Sequence, residues 1–89
     1  MLLPTIQGLY YMMIDKDQLP ILQYLVWGTG TDSVKEAVEF IDKNNMWDDL
    51  VKGLNNRQLW NFNAKATKID VLEVIDYYST ITAKDIEAA

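Results

Sequence analysis

Histidine and cysteine are both missing from the chain. Without histidine, the usual general base near neutral pH and the commonest metal ligand are gone. Without cysteine there is no thiolate nucleophile, no disulfide staple and no thiolate-held zinc. Proline occurs twice and arginine once. Long apolar runs are lacking as well: Leu9 to Ile14, the longest, falls far short of the roughly 20 residues that span a bilayer. Met1-Leu2-Leu3 meets Pro4 with no basic flank, so neither a signal peptide nor a membrane anchor is expected. A chain free of cysteine suits a reducing compartment, and a cytoplasmic location is expected.

Basic residues are few and scattered. Seven lysines and one arginine face thirteen acidic residues, for a formal net charge of −5. Phosphate backbones select clustered cations, so direct nucleic-acid binding is disfavoured, as is adsorption to an anionic membrane. What the chain does have is an ordinary globular composition, with 49% apolar and 24% charged residues over 89 positions. Residues 1–89 are read as one small domain. A domain of this size buries only roughly 60–65% of the surface its unfolded form exposes. Packing alone must stabilise it, helped by self-association if a second copy binds.

The apolar spacing is that of an all-α protein, a compact bundle of five or six short helices. Pro4-Thr5 opens a helix in which Ile6, Leu9, Tyr10 and Met13 share one face, interrupted by Gly8. Asp15-Lys16-Asp17 breaks it. Asp17 is then expected to cap a helix with Pro20 in its first turn, carrying Leu19, Leu22, Leu25 and Val26 and stopping at Gly28. After the loop Gly28-Thr29-Gly30-Thr31, Ser33-Val34-Lys35-Glu36 reads as a capping box for a helix striped by Val34, Ala37, Val38 and Ile41. Asn44-Asn45 ends that helix, and Asn45 is expected to cap the next, in which Trp47, Leu50, Val51 and Leu54 form the stripe and Asn55-Asn56 closes. Asp48 and Asp49 fall in its first turn, where carboxylates suit the dipole.

Beyond residue 56 two periods compete. Trp60 to Thr67 alternates apolar and polar residues, as a half-buried strand does, so an α+β alternative with a β-hairpin in the C-terminal third stands beside the helical reading. Its partner strand would be Ile69 to Ile75 or Tyr77 to Thr82. Helix is favoured over Lys68 to Tyr78, because Thr67 with Asp70 makes a start and Val71, Val74, Ile75 and Tyr78 share a face. Thr82 caps a last turn, Ala83 to Ala88. Ile14-Asp15-Lys16 and Ile41-Asp42-Lys43 repeat at an offset of 27 positions, which marks either paired helical hairpins or coincidence.

The residues left for catalysis are carboxylates, hydroxyls and lysines, and Ser33 has no base beside it in sequence. No catalytic residue, metal ligand or cofactor is therefore assigned. Counted as calcium loops, the stretches from Asp15 and Asp42 place Leu19 and Pro20, or Met46 and Trp47, where oxygen ligands and glycine belong. Asp70, Glu73 and Asp76 share a helix side, and with the Asp48-Asp49 pair they support an alternative reading as a divalent-cation binder or carboxylate enzyme. The loop before Ser33 lacks the lysine of a phosphate loop, and Asp32 would repel an anion.

Ten aromatic rings are more informative, because a core this small cannot readily enclose them all. Tyr10, Trp47 and Tyr78 belong to the apolar stripes and are expected inside. Tyr11, Trp27, Trp60 and Tyr77 fall off the stripes or at element ends, the places where interfaces draw aromatic anchors. The expected function is thus non-catalytic: a small acidic regulator or adaptor, inhibitors of a larger partner included, that binds another protein through Trp27, Trp60, Tyr11 and Tyr77, with a homodimer also expected. A mimic of nucleic acid that occupies a DNA-binding partner is the further alternative.

Overall fold

A computed structural model describes residues 14–60 and 65–89. The helix read over Pro4 to Met13, and with it Tyr10 and Tyr11, lies outside the described residues, as do positions 61–64. Among the described residues there are five helices: α1 (Leu19–Thr29), α2 (Val34–Lys43), α3 (Trp47–Asn56), α4 (Lys68–Tyr77) and α5 (Ala83–Ala88). The fold is all-α.

The entry to α1 is built differently from the sequence expectation. Asp17 is exposed and caps nothing; Gln18 occupies the cap position, and its side chain makes no capping bond to the helix. The work falls to Asp15, whose main-chain oxygen accepts the amides of Gln18 (3.0 Å) and Leu19 (2.9 Å) while Oδ1 accepts that of Asp17 (2.9 Å). Pro20 has no N–H to satisfy, so the missing cap costs little. At the other end the helix passes through Gly28 and stops after Thr29, because Gly30 takes the left-handed conformation with φ 69°. Its amide and that of Thr31 close back onto Trp27 and Val26, the pairing that the left-handed turn makes available.

Three of the helix starts are capped by hydroxyls. Ser33 Oγ accepts from the Glu36 amide (3.1 Å), Thr67 Oγ1 from Asp70 (3.3 Å) and Thr82 Oγ1 from Asp85 (3.3 Å). The two aspartates reach back to the amide of the capping threonine itself. Glu36, one methylene longer, reaches past Ser33 to the amide of Asp32 (3.1 Å), so the expected reciprocal box at Ser33 is only half formed. Between α2 and α3 the connection is just Asn44, Asn45 and Met46. Asn45 takes φ 53°, a conformation that asparagine tolerates, and Met46 holds the cap position expected of Asn45. Trp47 Nε1–H donates to Asp42 Oδ1 at 2.5 Å and fastens the corner.

The core is one cluster. Ile21, Leu22, Leu25 and Val26 of α1 meet Val34, Ala37 and Ile41 of α2, Trp47, Leu50 and Leu54 of α3, Val71 and Ile75 of α4, and Ile86 of α5. Ile14, Ala66, Tyr78 and Ile81 add to it from turns and connections. α1 packs against α2, α3 and α5, which explains why its sequence is apolar nearly all round. Tyr78 is buried, and its hydroxyl donates to Gln18 Oε1 (2.5 Å) while accepting from the Asp15 amide (3.2 Å). That ring ties the end of α4 to the start of α1.

The β-hairpin alternative fails over the described residues, since Lys68–Tyr77 is helical and Ser33 with Thr82 forms an isolated bridge rather than a strand. Ala66 makes both its main-chain bonds to one side chain: Asn55 Oδ1 accepts its amide (2.8 Å) and Asn55 Nδ2 donates to its oxygen (3.1 Å). A side-chain amide has thus taken the place of a neighbouring strand. Asn55, read as a helix terminator, is a clamp.

The Ser33–Thr82 bridge is antiparallel, with Val34 N–H donating to Ile81 O (3.0 Å) and Ala83 N–H to Asp32 O (2.7 Å). It sets the starts of α2 and α5 side by side. The repeat read from sequence is not a structural one. Ile14-Asp15-Lys16 is a bend and turn before a helix, whereas Ile41-Asp42-Lys43 ends one.

Candidate partner-binding surface

The surface of interest lies where α1 and α3 pack side by side. Glycine at position 53 is what allows them to approach: a Cβ there would collide with the hydroxyl end of the Tyr24 ring. Tyr24 in turn carries the Arg57 guanidinium, 5.5 Å from its ring centroid. Arg57 is the sole arginine of the chain. Among the described residues it has no carboxylate partner, and its contact is with the tyrosine face.

Around that stack runs an open groove of about 580 Å³ with walls from Pro20, Tyr24, Trp27, Gly28, Arg57 and Leu59. A second hollow of about 290 Å³ adjoins it, sharing Tyr24 and Gly28 and adding Ile41, Met46, Asp49 and Leu50. The two shared residues make the hollows one continuous strip. Tyr24 meets Gly53 and Arg57, while Gly28 and Thr29 share the second hollow with Met46 and Asp49, so α1 and α3 run antiparallel. Gly28 has open space where a Cβ would stand, and no left-handed φ requires glycine there.

The four aromatics read as anchors are placed as follows. Trp27 is 53% exposed at the rim of the groove, and Tyr77 is 70% exposed on α4. Trp60 is half-buried and packs against the core, which sets it apart from the other two. Tyr11 lies outside the described residues. Tyr77 is not part of the Trp27 groove; its ring meets Tyr78 edge-on, with centroids 5.1 Å apart. Ile69, also 70% exposed, is two turns before Tyr77 on the same helix. Phe40 and Met46 are exposed as well.

The sequence reading did not single out Tyr24, Gly28, Gly53 or Arg57 as site residues. Only Arg57 offered a signal, as a lone arginine in an acidic chain. The others matter through a contact between α1 and α3 that no local pattern specifies.

Among the described residues no three carboxylates converge as a metal site. Asp70 Oδ2 is occupied in capping, accepting from Thr67 N (3.3 Å) and Oγ1 (2.9 Å). At the start of α2, the amides of Asp32, Val34 and Glu36 are taken by Glu36, Ile81 and Ser33, which leaves that helix end few donors for an anion. No described helix is long and apolar enough to cross a membrane. Comparison with known proteins gives no match: no family model fits the chain, and no curated protein or solved structure is significantly similar to it.

Proposed function

We propose that the protein is a non-catalytic, cytoplasmic regulator or adaptor that acts by binding other proteins through exposed aromatic side chains on an acidic body. One observation carries this reading. The core closes on aliphatic residues, with Ile21, Leu22, Leu25, Ile41, Leu54 and Ile86 at 1% exposure or less, while Trp27 and Tyr77 stay more than half exposed. Rings of that size left in water contribute little to the fold, and they are the residues from which interface hot spots are drawn. Trp27 with its groove and Tyr77 with Ile69 give two separate faces, which suits an adaptor.

The test compares wild type with Trp27→Ala and Tyr77→Ala as immobilised baits in extract from the native host. A protein retained by wild type and lost by one variant, with the variant's melting temperature unchanged, is the expected outcome. Retention indifferent to both substitutions would defeat the reading. So would a large drop in melting temperature for both, which would make the rings structural.

A further inference from the structure

We infer that the Trp27 groove is a self-association face, occupied by the same groove of a second copy in a two-fold dimer. The inference deepens the binding role proposed for Trp27 and rests on it, and it leaves the Tyr77–Ile69 face for other partners.

Along α3 the strip carries Asp49 at one end and Arg57 at the other, with Gly53 midway between them. Eight residues of helix separate the two charges by about 12 Å. A two-fold axis lying in the face, perpendicular to the helices and crossing them near Tyr24 and Gly53, reverses this order in the second copy. Asp49 of each copy then meets Arg57 of the other. In an isologous contact a pair of opposite charges placed symmetrically about the axis is satisfied twice. Arg57 has no carboxylate partner in the monomer among the described residues, so the pairing breaks no ion pair.

The same operation acts on α1, where Pro20, Tyr24 and Gly28 follow one another at four-residue spacing. It carries Trp27 of each copy towards the Pro20 and Leu59 end of the other's groove, the wider of the two hollows. Gly28 becomes intelligible in this arrangement. A helical glycine weakens α1 relative to alanine, and no described residue of the monomer uses the space above Gly28. Under a second helix, absence of a side chain permits close approach. A heterologous partner would have to supply both an acid for Arg57 and a base for Asp49 at the correct spacing; the chain itself already does.

The face is two short helices wide, at the small end of stable interfaces, so a dissociation constant on the order of micromolar is expected. Sedimentation equilibrium over roughly 5–500 µM brackets that range. Wild type should pass from monomer to dimer. Asp49→Arg and Arg57→Asp should each weaken the dimer at least about tenfold, and the doubly exchanged variant should recover most of the loss. Gly28→Ala should raise the melting temperature by about 4 °C while weakening dimerisation, which no merely damaged fold would do. Far-UV circular dichroism on each variant separates misfolding from lost contact.

A wild type that stays monomeric at the highest concentration would overturn the inference while leaving the bait experiment free to succeed. A dimer indifferent to both charge reversals would overturn it too, since association would then use another face. Rescue by the double exchange would uphold it.

Discussion

Tyr78 shows how much one polar atom on a core ring can matter. The ring is buried, and its hydroxyl serves both Gln18 and Asp15 across more than half the length of the chain. Tyr78→Phe keeps the packing and leaves a side-chain oxygen and a main-chain amide short of a partner, so a loss of about 1–2 kcal/mol is expected in urea unfolding. No change in stability would mean that water replaces the hydroxyl at no cost. Gly53 poses the opposite problem, since alanine there gains helix propensity but must displace the Tyr24 ring from its seat beside Arg57. The expected result is a coupling: Gly53→Ala is less favourable by about 1 kcal/mol with Tyr24 present than in a Tyr24→Ala background. Additive effects in that double-mutant cycle would show that the ring moves aside freely.

At the level of elements, the connections are fixed by side chains standing in for secondary structure. Asn55 receives and donates a bond to Ala66 and so holds the segment leading into α4 against the last turn of α3. Asn55→Ala removes both bonds from a partly buried backbone and should lower stability by about 1–3 kcal/mol. Its signature would be early loss of amide protection at Ala66, detected by hydrogen exchange. Protection there that survives the substitution would mean that another group satisfies Ala66. The helix starts followed from local chemistry: Thr67 and Thr82 cap where their sequences said they would, because a cap needs only a hydroxyl and an amide three residues on. Asp17 and Asn45 failed as caps because the turns preceding the two helices placed Gln18 and Met46 at the cap positions. Of the period-two stretch before Thr67, the described residues 60 and 65–67 are not in a strand: a strand needs a partner, and at Ala66 the side chain of Asn55 filled that need.

For the molecule as a whole, the five described helices share one core and α1 touches three of the others. With no disulfide to hold part of it, no helix has a reason to persist alone. Helicity by circular dichroism and the emission of Trp47, which is buried, should therefore be lost in a single coincident urea transition. Separate midpoints would show that part of the fold survives loss of the rest.

Over the described residues, the sequence determined which segments are helical and which of their faces turn inward. Both follow from apolar spacing and from caps, which are interactions between residues three or four apart. It also left rings over, Trp27 and Tyr77 among them, because stripes can be counted against aromatics without knowing the fold. It did not show that Trp60 would lean on the core, or that Asn55 would clamp Ala66. Nor did it bring Tyr24, Gly53 and Arg57 into one stack. Those outcomes depend on the antiparallel packing of α1 on α3 and the bridging of α2 to α5. Contacts between residues far apart in the chain are set by how helices fit against one another, and neighbouring residues carry no record of that fit.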